Sequence, residues 1–300
     1  MAPGPRPERL RFHQATMDLL GWDSSYSDTS LALLERQEQR CGFSFPAAVR
    51  EWYALEGAVA LLNRYSNQDA ATPLEQLGEE QVETGAFASE HAQSYPVVIV
   101  QHENQGVCRW GVLLDGSEDP PVLVEPYSGF GRVETGAAWR LYSERFSSFV
   151  YTRIWDWSSP FGDESACHLE AWDQPLSAID LAYLQQRFME APRTYGWPAL
   201  TTYRFAVNDM RLLIWDRDEP VGDTHTSHQN RPQHANWMLW ASGPVTLTTL
   251  VEQVKDCGTL SRELFSPDDC GEAVIRQLFP GRPDPWDTRQ LPAGNTDTPF

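Results

Sequence analysis

The chain has almost no lysine, and it lacks any long apolar run. Lys255 is the single lysine among 23 basic residues, which stand against 42 acidic residues and leave a net charge of −19. A chain of this charge is repelled by nucleic-acid phosphates and by anionic membrane surfaces, and it attracts basic partners. No apolar stretch approaches the roughly 20 residues that span a bilayer. Binding to nucleic acid or to a membrane is therefore not expected.

A signal peptide and closely spaced cysteines are also missing. The first residues, MAPGPRPERLR, contain no apolar core, so a cytoplasmic protein is expected. The cysteines form no Cys-x-x-Cys pair, which predicts reduced and mostly buried thiols. They are Cys41, Cys108, Cys167, Cys257 and Cys270.

The composition favours a folded chain. With 41% hydrophobic residues among 300, the sequence can bury one large core or two modest ones, as a globular protein of one or two domains does. The 12 tryptophans are many for this length. Such large rings build cores and recognition surfaces.

The segment from Leu31 to Gly57 predicts two helices joined by a sharp turn. Side-chain oxygens at 28–30 precede leucines at helical spacing, so the first helix is expected to begin near residue 29. Gly42 suits the positive φ of a helix end, and Pro46 suits the first turn of the second helix. Gly57 is expected to cap that helix. Its apolar face consists of Val49, Trp52 and Tyr53.

This segment and two later blocks resemble the SUKH superfamily. The first block matches the N-terminal signature of that superfamily, through Leu34-Glu35, Gly42, Phe45-Pro46, Val49, Trp52-Tyr53 and Glu56-Gly57. The later blocks are similar to an arrangement in bacterial SUKH-like proteins, and they are Glu103–Val107 with Trp110–Val112, and Glu118–Val122. Together the blocks cover about residues 29–160.

The resemblance implies an α+β domain with an antiparallel or mixed sheet packed against helices. It also implies a function, because SUKH proteins are commonly immunity proteins that neutralise a toxin made by the same or a neighbouring bacterium. We therefore expect a non-enzymatic bacterial protein, without a cofactor, that binds a basic toxin such as a nuclease and covers its active site. A housekeeping adaptor without a toxin partner is the alternative, because the superfamily also includes adaptor-like regulators.

Acidic residues are concentrated between Tyr65 and Gly131, where eleven carboxylates accompany one basic residue, Arg109. Such a window predicts either a solvated acidic face or a docking surface for a cationic partner. Glu103 and Trp110 can instead cap loops within the fold. The candidate partner-binding residues are Glu79, Glu80, Glu103, Trp110, Asp115, Glu118 and Asp119.

The chain is expected to divide into two α+β units with flexible ends. The expected parts are a tail over 1–8, a SUKH-like domain over 9–160, a linker over 161–175, a smaller C-terminal extension over 176–279 and a tail over 280–300.

Apolar patterning predicts the elements of both units. In the first unit we expect a helix within Arg9–Leu20, strands Pro96–Val100, Cys108–Leu114 and Pro121–Glu125 in an antiparallel meander, and a closing helix Trp139–Tyr151. In the second we expect a helix Leu176–Met189 stopped by Pro192, a hairpin of Thr202–Val207 and Met210–Trp215 joined at Asn208-Asp209, a strand Asn236–Ala241, and helices over Leu247–Val254 and Asp269–Leu278.

Two short motifs carry an enzymatic alternative. His225, His228 and His234 lie at spacings that can hold a metal ion in a loop, which would suit a hydrolase or another metalloenzyme. The polar residues around them are equally typical of a solvated hairpin loop. Cys167 and His168 are adjacent, but neighbouring side chains rarely face one another, and no third group accompanies them.

Overall fold

The protein has an α+β fold in which two antiparallel sheets pack against helices. The computed structural model describes residues 9–23, 25–83, 95–126, 139–158, 166–172, 174, 176–217 and 234–282. The fold class expected from the sequence is confirmed.

Helices and strands follow one another along the chain. The helices are α1 (Gln14–Leu20), α2 (Asp28–Cys41), α3 (Ala47–Ala54), α4 (Ala58–Arg64), α5 (Phe146–Ser158), α6 (Ala178–Arg187), α7 (Pro244–Val254), α8 (Leu260–Glu263) and α9 (Asp269–Leu278). The strands are β1 (Ala70–Ala71), β2 (Gln81–Glu83), β3 (Pro96–His102), β4 (Cys108–Leu113), β5 (Val122–Pro126), β6 (Arg140–Ser143), β7 (Cys167–Ala171), β8 (Met189–Tyr195), β9 (Thr201–Val207), β10 (Met210–Arg217) and β11 (His234–Ala241).

The first sheet contains the predicted meander. Strands β3, β4, β5 and β6 pair antiparallel in sequence order, and the short strands β1 and β2 both pair with the free side of β3. At Gly111, β4 passes so close to the Val97 side chain of β3 that an added Cβ atom would overlap Cγ1 of Val97. The three predicted strands are therefore confirmed.

Opposite faces of this sheet bury different side chains, because successive residues of a strand point to opposite sides. One face packs on α2, α3, α4 and α5 and forms the larger core. The other face buries a small cluster that includes Val97, Ile99 and Leu123. The larger core contains the predicted apolar face of α3, in which Val49, Trp52 and Tyr53 are at most 2% exposed.

The second sheet has the order β7-β11-β10-β9-β8, so β7 and β8 are its edges. The β9–β10 hairpin confirms the prediction, and Asn208 occupies its turn with φ of +52°. Strand β11 pairs along the full length of β10, as expected for the third strand. Helices α7 and α9 cover one face of this sheet and enclose the second core.

Helix α5 joins the two sheets. Phe146, Phe149 and Ile154 on one side of α5 belong to the core of the first sheet. Tyr151 and Trp155 on another side pack against the face of the second sheet that α7 and α9 leave open. A single helix thus supplies side chains to both units.

Buried ion pairs hold α5 in this position. Asp156 accepts two hydrogen bonds from Arg204 on β9, at 2.6 and 2.7 Å, and the Arg204 side chain is 1% exposed. Arg153 on α5 forms an ion pair with Asp69, next to β1. Arg211 on β10 donates to the carbonyl oxygen of Trp155 at 2.8 Å. These contacts fix the helix to residues of both sheets.

Two predictions for the chain between the sheets are wrong. The segment Trp139–Tyr151 is not one helix, because β6 occupies Arg140–Ser143 and α5 begins only at Phe146. The expected linker over 161–175 contains β7, whose residues Cys167, Leu169 and Ala171 alternate as buried side chains. That alternation is the period-2 signal of a strand.

Two helix ends also differ from their predictions. Helix α6 ends at Arg187 and runs directly into β8, so Pro192 lies within an edge strand and does not stop the helix. Proline is tolerated there because an edge strand leaves some N–H groups unpaired. Helix α3 ends at Ala54, and Gly57, with φ of +76°, precedes the unpredicted helix α4.

The prediction that all cysteines are reduced is wrong for two of them. Cys167 on β7 and Cys270 on α9 form a disulfide across a sequence separation of 103 residues. Their Cα atoms are 5.4 Å apart, a spacing that suits such a bond. Cys41, Cys108 and Cys257 are free thiols, and the last two are buried. In the part of the chain that the structure describes, no helix has the length and apolar character needed to cross a membrane.

The burial of Arg204 predicts a large difference between two arginine variants. Arg204→Met should lower the free energy of unfolding by about 3–5 kcal/mol, because it leaves the Asp156 carboxylate without its buried partner. Arg40→Met is the control, since Arg40 pairs with Glu79 at 2.6 Å with both side chains 48% exposed. Its cost should be at most about 1 kcal/mol. Urea-induced unfolding measures both, and equal losses would contradict the structural role of the Asp156 pair.

Candidate functional site

The predicted partner-binding residues do not form one surface. They fall into two groups at opposite ends of the β3–β4 hairpin, one near the turn over 103–107 and one in the connection over 114–121. The six residues of β4 separate the groups by about 17 Å at 3.3 Å per residue. The acidic window is therefore split by the sheet that it helps to build.

The first group lies beside the β3–β4 turn. Glu80 forms an ion pair with Arg109, and its carboxylate lies 3.2 Å from Nε2 of His102, while Glu79 pairs with Arg40. Glu103 accepts hydrogen bonds from the backbone N–H groups of residues 105 and 107, at 2.7 and 3.2 Å. Glu103 thus closes the turn as a loop cap, one of its two expected roles.

The second group lies in the connection between β4 and β5. Asp115 accepts from the N–H of Ser117 at 2.9 Å, and Asp119 accepts from the N–H and hydroxyl of Ser147 at 2.9 and 2.6 Å. Asp119 thereby places a carboxylate at the first turn of α5, where the helix dipole favours negative charge. The carbonyl oxygen of Glu118 accepts from Ala48 at the start of α3. The loop is anchored to two helices.

Trp110 is a correction to the predicted surface. Its side chain is 1% exposed, and Arg153 lies over its ring at 4.6 Å from the centroid. The alternation of β4 places it on the same face as Val112, toward the larger core. A side chain that is 1% exposed cannot contact a partner at the surface.

Arginines from distant segments pair with much of the acidic window. Glu118 pairs with Arg11, Asp69 with Arg153, and Glu125 with Arg109 at 2.6 Å. Arg11 and Arg153 lie outside the window, so charge counted along the sequence misses them as partners, whereas Arg109 lies within it. The exposed pairs still leave carboxylate surface, since the side chains of Glu79, Glu80 and Glu118 are 48%, 45% and 60% exposed.

The residues of the enzymatic alternative are separated or lie outside the described residues. His225 and His228 lie outside the described residues. His234 is the first residue of β11, but its side chain is not described. Among the described residues, no group of three His, Cys, Asp or Glu side chains is placed to hold a metal ion. Cys167 is bound in the disulfide, so it is not paired with His168 as a nucleophile.

His168 is a half-buried histidine with a changed protonation equilibrium. Its ring stacks on Trp240 at a centroid distance of 5.1 Å, and its Nε2 lies 3.4 Å from the carboxylate of Glu170. Burial lowers the pKa of His168 to about 4, against the opposing charge of Asp268. The folded protein therefore holds this imidazole neutral at physiological pH.

A groove between α5 and the edge strand β8 was not predicted from the sequence. We call it the α5–β8 groove, and its two connected parts share Ser148, Glu190, Ala191 and Pro192. One part is also lined by Phe12, Tyr151, Trp155 and Met189, and the other by Glu144, Arg193 and Tyr195. The wider part has a volume of about 450 Å³. Met189 stands at the edge of the groove and is 72% exposed, which the sequence does not reveal.

The comparisons with known proteins assign no family. No family model, curated protein or solved structure matches the chain.

The environment of His168 predicts a pH-dependent stability. The unfolded chain binds a proton at this residue near pH 6.5, and the folded protein only near pH 4. The free energy of unfolding therefore falls as the pH decreases between these values, by up to about 3 kcal/mol. In the His168→Gln variant, this part of the pH dependence of the unfolding free energy should be absent. Urea-induced unfolding at pH 7 and at pH 4 gives the difference between the two proteins, and parallel pH profiles would contradict the assignment.

Proposed function

We propose that this chain is a non-enzymatic binding protein that acts as a bacterial immunity protein against a basic toxin, such as a nuclease. The observation that carries the proposal is the anchored acidic loop over 114–121. Asp115, Glu118 and Asp119 lie on a connection that is bonded to α3 through the carbonyl oxygen of Glu118 and to α5 through the carboxylate of Asp119. A rigid loop pays little conformational entropy when a partner binds.

The charge of the whole chain supports a cationic partner. A net charge of −19 attracts a basic protein over distances beyond direct contact and raises the rate of productive encounter. The resemblance to the SUKH superfamily, carried by the residue blocks of the first unit, points to a toxin as that partner. Covering the active site of the toxin would then block access of its substrate.

The intramolecular ion pair of Glu118 does not oppose this role. Arg11 and Glu118 are both more than half exposed, so water and salt screen their ion pair and it contributes little to stability. A lysine or arginine of a partner can share or replace Arg11 at small cost. By contrast, Asp119 caps α5, and we assign it to the scaffold of the loop.

A housekeeping adaptor is the second candidate, and it would use the same loop with a different partner. The two functions differ in genetic context, because an immunity protein is expected beside the gene of its toxin. A basic protein encoded in the neighbouring gene favours immunity, and a neighbour of unrelated kind favours the adaptor.

Charge reversal tests the electrostatic part of the proposal. The double variant Asp115→Lys and Glu118→Lys should reduce the association rate with the basic protein encoded in the neighbouring gene by about tenfold at low salt. The rate should also depend less steeply on salt concentration. Surface plasmon resonance over a series of salt concentrations measures both effects.

A matched control reverses two exposed carboxylates elsewhere. Asp256, which follows α7, and Glu263, at the end of α8, are both exposed, and Asp256→Lys with Glu263→Lys changes the net charge by the same amount. The association rate of this control should fall much less than that of the loop variant. Equal losses would show that only net charge matters, and absence of binding by the unmodified chain would contradict the immunity function itself.

A further inference from the structure

The α5–β8 groove begins next to the anchored acidic loop. Ser147, which lines the groove, donates two hydrogen bonds to Asp119. Phe12 also lines the groove, and Cζ of Arg11 lies over its ring at 4.8 Å from the centroid. Arg11 in turn pairs with Glu118. The loop and the groove therefore form one continuous surface.

The middle of this surface is apolar. Phe12, Tyr151 and Ala191 are half-buried, Met189 is 72% exposed, and Trp155 closes the floor with 2% exposure. The part with these residues has a volume of about 210 Å³ and leads into the wider part of about 450 Å³. Aromatic and methionine side chains within a polar rim are the usual composition of the centre of a protein interface.

Charged groups surround the far end of the groove. Glu190 is engaged by Arg193 and, at 2.8 Å, by Gln185, so these charges largely offset one another. Glu144 is exposed at the rim, and it raises the pKa of Tyr195 after the larger effect of burial. Glu144 leaves this end with an excess of negative charge, as Glu118 and Asp119 do at the other end.

The shape of the groove suits an extended chain. It follows β8 from Met189 to Tyr195, which is about 20 Å at 3.3 Å per residue and matches roughly seven extended residues. The outer edge of β8 pairs with no strand among the described residues. Pro192 has no N–H group and lies at a register shift, so it interrupts a continuous hydrogen-bonded ladder. Side chains in the groove must then supply most of the recognition.

We propose that the α5–β8 groove binds an extended segment of the basic protein partner. Apolar side chains of that segment pack on Phe12, Tyr151 and Met189, and one of its lysines or arginines pairs with Glu144. The inference rests on the proposed function for the identity of the partner. It assigns the affinity to the apolar groove, and it leaves to the acidic loop the attraction that brings the partner near.

A synthetic peptide tests the groove without the toxin. The probe is a fluorescein-labelled nine-residue peptide that alternates leucine and lysine, and fluorescence anisotropy measures its binding to the full chain. Two control peptides replace all lysines by glutamate or all leucines by serine. The groove predicts saturable binding of the first peptide, and at least tenfold weaker binding of both controls. Equal binding of the serine peptide would reduce the interaction to charge alone and overturn the proposal.

Variants in the groove locate the binding. Ser148→Trp fills the junction between the two parts and should weaken binding of the leucine–lysine peptide at least tenfold. Glu144→Lys, on an exposed side chain that does not threaten folding, should weaken it about three- to tenfold. Val245→Glu, on the exposed side of α7, is the control with an added carboxylate and should bind as the unmodified chain does. Unchanged binding by both groove variants would overturn the proposal.

The same variants separate this inference from the proposed function. If the neighbouring basic protein still binds Ser148→Trp and Glu144→Lys normally but fails to bind the Asp115 and Glu118 variant, the groove inference is wrong and the proposed function stands. If the peptide binds the groove but the basic protein does not bind the chain, the groove inference stands and the proposed function is wrong.

Discussion

The buried ion pair between Asp156 on α5 and Arg204 on β9 determines how the two sheets are held together. Arg204 is 1% exposed and donates two hydrogen bonds to Asp156. Loss of either partner would leave the other as an uncompensated buried charge, which is strongly destabilising. On the same helix, Arg153 reaches Asp69 beside the first sheet. Because α5 carries a charge partner for each unit as well as apolar side chains for both, the units share one scaffold.

The surface available to a partner follows from that arrangement. With α5 between the sheets, the edge strand β8 lies beside the start of α5 and leaves a groove along their boundary. The loop over 114–121 caps the starts of α3 and α5, so its carboxylates open onto the same boundary. The contacts that fix the fold therefore also place an apolar groove next to fixed negative charge.

Local patterns in the sequence predicted the elements that depend on local physics. The β9–β10 hairpin, the helix α9 and the buried face of α3 follow from turn residues and apolar periodicity. Strand β6 was missed because its four residues are too few to show a period-2 pattern. The groove combines α1, α5 and β8, and Arg11 and Arg153, which pair with residues of the acidic window, come from other segments, so no local pattern marks either. The resemblance to SUKH proteins suggested a function to propose, but it gave no contact geometry.

Hydrogen–deuterium exchange tests the central claim most directly, namely that the boundary between α5 and β8 is the recognition surface of a single rigid scaffold. The measurement compares the free chain with its complex with the basic protein encoded in the neighbouring gene. The account predicts slower exchange in the complex at the backbone amides of Met189–Tyr195 and of the loop over 114–121, with no change in α7 and α9. Slower exchange confined to α7 and α9, with β8 unaffected, would contradict it.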